Sequence, residues 1–199
     1  MKNKMMVAAA LVTAMSAGNV LANEVDGFYL GGAIGTIGID DGGLYDNTLQ
    51  PITVDADDST FKVIAGYQFN RIVAVEAQYT KYGDVVAKNA ITQDTYTWKP
   101  TAFSISANLG YTFDNGFRPF GIIGLASIDL DQSLPLLQDD SGEGVRYGMG
   151  VEYTPPQYGN VSFKLGYEAD AFVIESASAF DSDKDIVIDS FYAAVAYRF

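Results

Sequence analysis

A period of two restricts this chain more than any other feature. From Gly27 onward bulky apolar residues alternate with small or polar ones, as in Tyr147-Gly148-Met149-Gly150-Val151, and helical spacing is hard to find. Stretches 27–38, 59–69, 72–82, 101–113, 117–129, 144–154, 161–174 and 188–199 read as strands. Asn70-Arg71, Asp114-Asn115-Gly116 and residues 155–160 form short, turn-like joins. Residues 39–58, 83–100, 130–143 and 175–187 form long polar ones. Long and short joins alternate strictly, which places every long loop at one end of the sheet and both termini at the other. The pattern predicts an all-β fold, an eight-stranded antiparallel up-and-down transmembrane β-barrel.

Alternation does not say which face points inward, because a soluble lipocalin-like barrel alternates too. Size separates the two. One face carries Phe61, Val63, Tyr67, Tyr79, Phe103, Leu109, Tyr147, Met149, Phe163 and Leu165. The other carries Gly66, Ala74, Ser104, Ser106, Gly110, Gly148, Gly150, Gly166, Ala194 and Ala196, punctuated by charges. The interior of eight strands is just wide enough for side chains to fill. Bulky residues on every strand would overfill it, so the apolar face is expected to point outward, against lipid. The closing stretch FYAAVAYRF keeps that face apolar to its last residue, and it is expected to pair with strand one so that no edge is left in hydrocarbon. Strands one and five, GFYLGGAIGTIG and FRPFGIIGLASI, are apolar on both faces and leave their phase and Arg118 unplaced.

Export fits this reading. Lys2 and Lys4 precede an uncharged run from Met5 to Ala17 and then Val20-Leu21-Ala22, the pattern of a secretory signal peptide over residues 1–22, with the barrel over 23–199. A retained N-terminal anchor is the alternative, but the run is too short to span a bilayer as a helix. Twelve basic residues face 25 acidic ones. Loss of Lys2 and Lys4 takes the net charge from −13 to −15, which disfavours nucleic acid as a partner. There is no cysteine, so the exported chain stands without disulfides.

The stretch AGYQFNRIVAVEAQY, Ala65 to Tyr79, resembles the second and third strands of the small OmpA-type outer-membrane barrel family. Gly66-Tyr67-Gln68, Asn70 at the turn, Glu76 inside and Tyr79 outside match it. RPFGIIGLA resembles the family's fifth strand and AYRF its closing strand. The resemblance implies that Tyr197 and Phe199 belong to a C-terminal signal read by the barrel-assembly machinery during biogenesis. It also implies a cell outer-membrane location, multi-pass, with both mature termini periplasmic, and lipopolysaccharide and outer-membrane lipids as neighbours. The best-known members carry a C-terminal peptidoglycan-binding domain, whereas this chain stops at the barrel, so tethering to the cell wall does not carry over.

The inward face offers Lys62, Arg146, Lys164 and Arg198 against Glu76, Glu152, Glu168 and Asp170. Buried charges persist when paired and hydrogen-bonded, so a lumen ion-pair network is expected. If Glu152 faces Lys164 across the 155–160 turn, the register places Arg146 opposite Asp170 and Gly150 opposite Gly166. Such a network either packs the barrel shut or exchanges partners to open a narrow pore. Lipid A deacylases, palmitoyl transferases and omptin-type proteases resemble this architecture, but all rely on a catalytic histidine and this chain has none. Glu168 and Asp170 form a carboxylate pair two residues apart, better explained by the opposing cations than by catalysis. The glycines at 31, 32, 35 and 38 lack phosphate-loop spacing.

Three of the four long loops are acidic. Asp40, Asp41, Asp46, Asp55, Asp57 and Asp58 lie in the first, Asp131, Asp139, Asp140 and Glu143 in the third, and Glu175, Asp181, Asp183 and Asp185 in the fourth. Asp181-x-Asp183-x-Asp185 begins like a calcium loop but has Ile186 for the glycine and Tyr192 for the closing glutamate, so no specific metal site or cofactor is expected. Diffuse divalent cations would bridge this rim to lipopolysaccharide. Trp98 is expected in an interfacial aromatic girdle. The sequence thus predicts a monomeric, non-catalytic outer-membrane protein contributing to envelope integrity and surface interactions; the alternative is a narrow porin-like channel gated by the lumen salt bridges.

Overall fold

Alternating residues become strands only if each finds a partner, and here every stave finds two. The computed structural model describes residues 26–40, 52–57, 59–89, 95–129, 141–174 and 184–199. Its strands are β1 (Gly27–Gly35), β2 (Gly38–Asp40), β3 (Ile52–Asp57), β4 (Thr60–Gln68), β5 (Val73–Lys81) and β6 (Asp84–Asn89). They continue as β7 (Thr95–Trp98), β8 (Thr101–Gly110), β9 (Phe117–Asp129), β10 (Ser141–Tyr153), β11 (Val161–Ile174) and β12 (Lys184–Arg198). The main sheet runs β1-β4-β5-β8-β9-β10-β11-β12, and β12 returns to pair antiparallel with β1. β2 continues the first stave in the same register along β12. The result is a closed barrel of eight antiparallel staves, with no open edge in the wall.

The tight joins are built by their own residues. Asn70 Oδ1 accepts from the backbone N–H groups of Ile72 and Val73 at 2.8 and 2.9 Å, which turns β4 into β5. Asn115 Oδ1 accepts from Phe117 N–H at 3.0 Å, and Gly116 beside it takes φ +83°, a conformation that favours glycine. A 3-10 turn over Pro156–Tyr158 joins β10 to β11. Arg71 meets Asp114 at 2.6 Å across two neighbouring turns, and this hydrogen bond holds the exposed guanidinium's pKa above its ordinary value.

Face assignment follows size on most staves. Leu125 is 73% exposed and Met149 68%, and Phe61, Tyr79, Phe103, Tyr147, Phe163 and Leu165 all lie outside. Along β10 the outward residues run from Val145 to Tyr153. Those eight residue steps cover about 27 Å of strand, or about 21 Å along the axis at a tilt of about 40°, close to the height of a lipid-facing band. So large an exposed apolar belt exceeds what a water-soluble surface tolerates.

Three expectations need correction. Strands one and five place large residues inside: Tyr29, Phe120 and Ile122 are buried, whereas Leu30, Ile34, Ile123 and Leu125 are exposed. The space comes from glycines on neighbouring strands. A Cβ on Gly150 would stand 2.7 Å from the Phe120 ring, one on Gly166 would stand 2.7 Å from Tyr192, and one on Gly66 would strike Tyr29. Second, the first two loops are not wholly irregular, because β3, β6 and β7 form a separate three-stranded sheet. Trp98 belongs to that sheet, opposite Val85. Third, β10 and β12 start at Ser141 and Lys184, so Glu143 and Asp185 are strand residues. Residues 1–22 and the loop acids Asp41, Asp46, Asp58, Asp131, Asp139, Asp140, Glu175, Asp181 and Asp183 lie outside the described residues.

Candidate functional site

The inward positions of the staves converge on one polar column. The β10–β11 register sets its frame: Glu152 pairs with Lys164, Gly150 with Gly166, Gly148 with Glu168 and Arg146 with Asp170. Pairing glycine with glycine clears the axis, and the long side chains reach across it.

From the tight-turn end upward, Arg198 donates to Gln68 Oε1 at 2.7 Å, and Gln68 donates on to Thr112 Oγ1 at 3.3 Å. Arg118 donates to Asn108 Oδ1 at 2.7 Å and lies 3.6 Å from Glu152. At mid-height Glu76 Oε1 accepts from the Tyr29 hydroxyl at 2.5 Å, Lys164 Nζ at 2.6 Å and Asn108 Nδ2 at 3.0 Å. Gln78 then ties two clusters together. Its Nε2 donates to Glu76 at 3.0 Å and to Glu168 at 3.2 Å, and its Oε1 accepts from Arg146 at 3.0 Å. Lys62 donates to Glu168 at 2.8 Å. Arg146 grips Asp170 in a two-point contact, Nε to Oδ1 at 2.7 Å and a terminal nitrogen to Oδ2 at 2.6 Å. Tyr82 donates to the same Oδ2 at 2.6 Å. Lys164 lies 4.6 Å from the Tyr29 ring centroid and Lys62 5.0 Å from that of Tyr192, so each ammonium also has an aromatic face.

All eight sequence-chosen residues therefore point into one lumen; seven are buried and Arg198, near the end, is half-buried. The expected balance of four cations and four anions is corrected, because Arg118 joins them inside: five cations and four carboxylates share the lumen among the described residues. Sequence reasoning also passed over Gln78 and Thr80, which with the inward Ser104 support Arg146 at 3.0, 3.3 and 2.7 Å. Their positions share the parity of Glu76, so alternation could have found them. Tyr29 and Arg118 carried no such signal, lying on strands apolar on both faces.

The loop-end half of the lumen is chemically different. Tyr82, Ala102, Ile128, Phe172, Ile186 and Ile188 are buried together there, with Ile37 and Ile39 packed against them. An apolar layer thus covers the ion-pair column. At the opposite end the closing strand is finished by Phe199, whose N–H donates to Phe28 O at 2.9 Å. Its ring lies 5.1 Å from Tyr197 and 5.8 Å from Phe28, between centroids.

What this arrangement can do is hold charge away from bulk solvent: each of the four buried carboxylates forms an ion pair with a cation fixed from another strand. Among the described residues, no group of three or more metal-binding side chains is arranged to hold an ion.

Comparison with known proteins agrees with the geometry. The family described as "Outer membrane protein beta-barrel domain" matches residues 7–199, and the chain belongs to it. No curated protein matches the chain. Among solved structures, Neisserial surface protein A is similar with 21% identity and a TM-score of 0.58, over 86% of this chain and 97% of that one. OprG of Pseudomonas aeruginosa is similar with 12% identity and a TM-score of 0.59, over 91% and 99%. Ail, the attachment invasion locus protein of Yersinia pestis, is similar with 14% identity and a TM-score of 0.52, over 88% and 100%. At these identities the likeness is one of fold, and the family places the chain in the outer membrane.

Proposed function

We propose that this member of the outer-membrane barrel family is a non-catalytic wall protein whose lumen is sealed, and that it acts through its surface. The observation that carries the reading is the two-layer filling of the lumen, an ion-pair column under an apolar layer. Ions crossing it would have to break buried charge pairs and then enter a space lined by isoleucine, phenylalanine and tyrosine. Envelope integrity follows from a rigid, closed, lipid-matched cylinder. Surface interaction is assigned to the acidic loops, which would meet lipopolysaccharide through diffuse divalent cations. In this reading the protein is a monomer, the tight-turn end and both mature termini face the periplasm, and Tyr197 and Phe199 guide the barrel-assembly machinery.

A narrow pore is the second reading, and one observation favours it. Two cations stand between alternative partners: Arg146 is 2.6 Å from Asp170 and 3.8 Å from Glu168, and Lys164 is 2.6 Å from Glu76 and 3.8 Å from Glu152. Planar-bilayer recording separates the readings. The sealed barrel stays silent both as wild type and as Lys62→Ala or Arg146→Ala, because the apolar layer remains. Discrete wild-type openings whose conductance changes in either variant would establish the pore.

A further inference from the structure

The outer wall is not evenly bulky. Across β11, β12, β1, β4 and β5 it is hollowed into a groove of about 860 Å³, within the range of about 300–1,000 Å³ typical of ligand sites. Its base is formed where Gly32 and Ala193 stand among larger outward residues such as Leu165 and Phe61. A second hollow of about 450 Å³ adjoins it and shares Gly32, Val63 and Val195.

Gly32 sets this groove apart from the packing glycines of the lumen. A Cβ added to Gly150, Gly166 or Gly148 would collide with a neighbouring strand. A Cβ added to Gly32 meets only Lys62 O at 3.9 Å, an ordinary contact. The fold therefore does not require glycine there, yet its absent side chain is what leaves the wall hollow.

The groove also has a direction. Phe163 and Leu165 are the third and fifth residues of β11, which starts at a tight turn. Tyr79 and Lys81 are the seventh and ninth of β5, which starts at another. The groove thus climbs from the tight-turn half of the wall to its loop-end margin. There it ends at the exposed Lys81, with the uncharged Thr101 beside it in register. An apolar channel with one ammonium at its outer end matches an anionic amphiphile.

We propose that the groove seats lipid A, the acylated and phosphorylated anchor of lipopolysaccharide, with acyl chains in the loop-end part of the groove, over Gly32, and a phosphate at Lys81. Lipid A is the occupant because Lys81 stands at the loop end. The assignment rests on the proposed orientation, loop end outward, and is independent of whether the lumen conducts.

Native mass spectrometry of the full mature chain, purified in mild detergent and mixed with purified lipid A or phosphatidylglycerol, tests it. The wild type retains one lipid A. Lys81→Gln lowers retention about fivefold, the effect of one basic residue at a lipid surface, and Gly32→Leu lowers it at least as far by filling the groove. Arg71→Gln, at the opposite end, leaves it unchanged. Unaltered cold-gel mobility shows that each variant is folded. Equal retention by the groove variants, no retention by the wild type, or a second copy of the chain in place of lipid overturns the site. Preference for phosphatidylglycerol overturns both the lipid A assignment and the orientation beneath it, while leaving the sealed lumen standing.

Discussion

Asp170 shows how much depends on a single carboxylate. It is fully buried and takes three of the network's shortest hydrogen bonds, two from Arg146 and one from Tyr82. Asp170→Ala leaves the Arg146 guanidinium buried without its main counter-charge, and breaking such a pair costs about 3–5 kcal/mol. Urea unfolding in lipid vesicles should show a loss of that size. Arg71→Ala, which removes an exposed pair screened by water, should not move the midpoint. Equal sensitivity at the two sites would mean that the lumen is wet. These residues were legible in the sequence because a charge repeated every second position among small residues has few other places to go. Arg118 was not, because Pro119, Phe120 and Ile122 beside it give neither face a polar character.

At the scale of strands, the packing rule is one large residue against one glycine across a strand pair. Gly150→Val would drive its Cβ into the Phe120 ring and the Leu165 carbonyl, and the β10–β11 pairing would have to shift. The expected result is a barrel that folds poorly and loses its cold-gel mobility. Gly121→Val, on the outer wall with Gly148 O at 3.7 Å as the nearest atom, should fold like the wild type. The closing strand carries a further prediction. Deleting Phe199 removes its hydrogen bond to Phe28 and the last ring of the outer belt. Yield in the outer membrane should fall, with unfolded chain accumulating in the periplasm. Strand pairing and register were readable from turn chemistry and alternation, as the opposition of Arg146 and Asp170 illustrates. The three-stranded sheet was not, because β3, β6 and β7 are short and lie inside long polar loops that mask a two-residue period.

For the molecule as a whole, everything depends on a single partition: large hydrocarbon side chains outside on most staves, and charges with their few large aromatic companions inside. Size did not phase the first and fifth staves, and glycines elsewhere in the wall make room for Tyr29 and Phe120, as Gly166 does for Tyr192 on the closing stave. That compensation is a property of the closed cylinder, visible only once distant strands are neighbours. Ile122 and Ile123 are adjacent in the chain and lie on opposite sides of this partition, 4% and 58% exposed. Isotope labelling of isoleucine methyl groups in nanodiscs, read by magnetisation transfer from lipid acyl chains, tests it without any substitution. Ile123, Ile105 and Ile34 should receive transfer, and Ile122, Ile64 and Ile188 should receive none. Transfer to Ile122 and Ile64 with none to Ile123 would contradict the account.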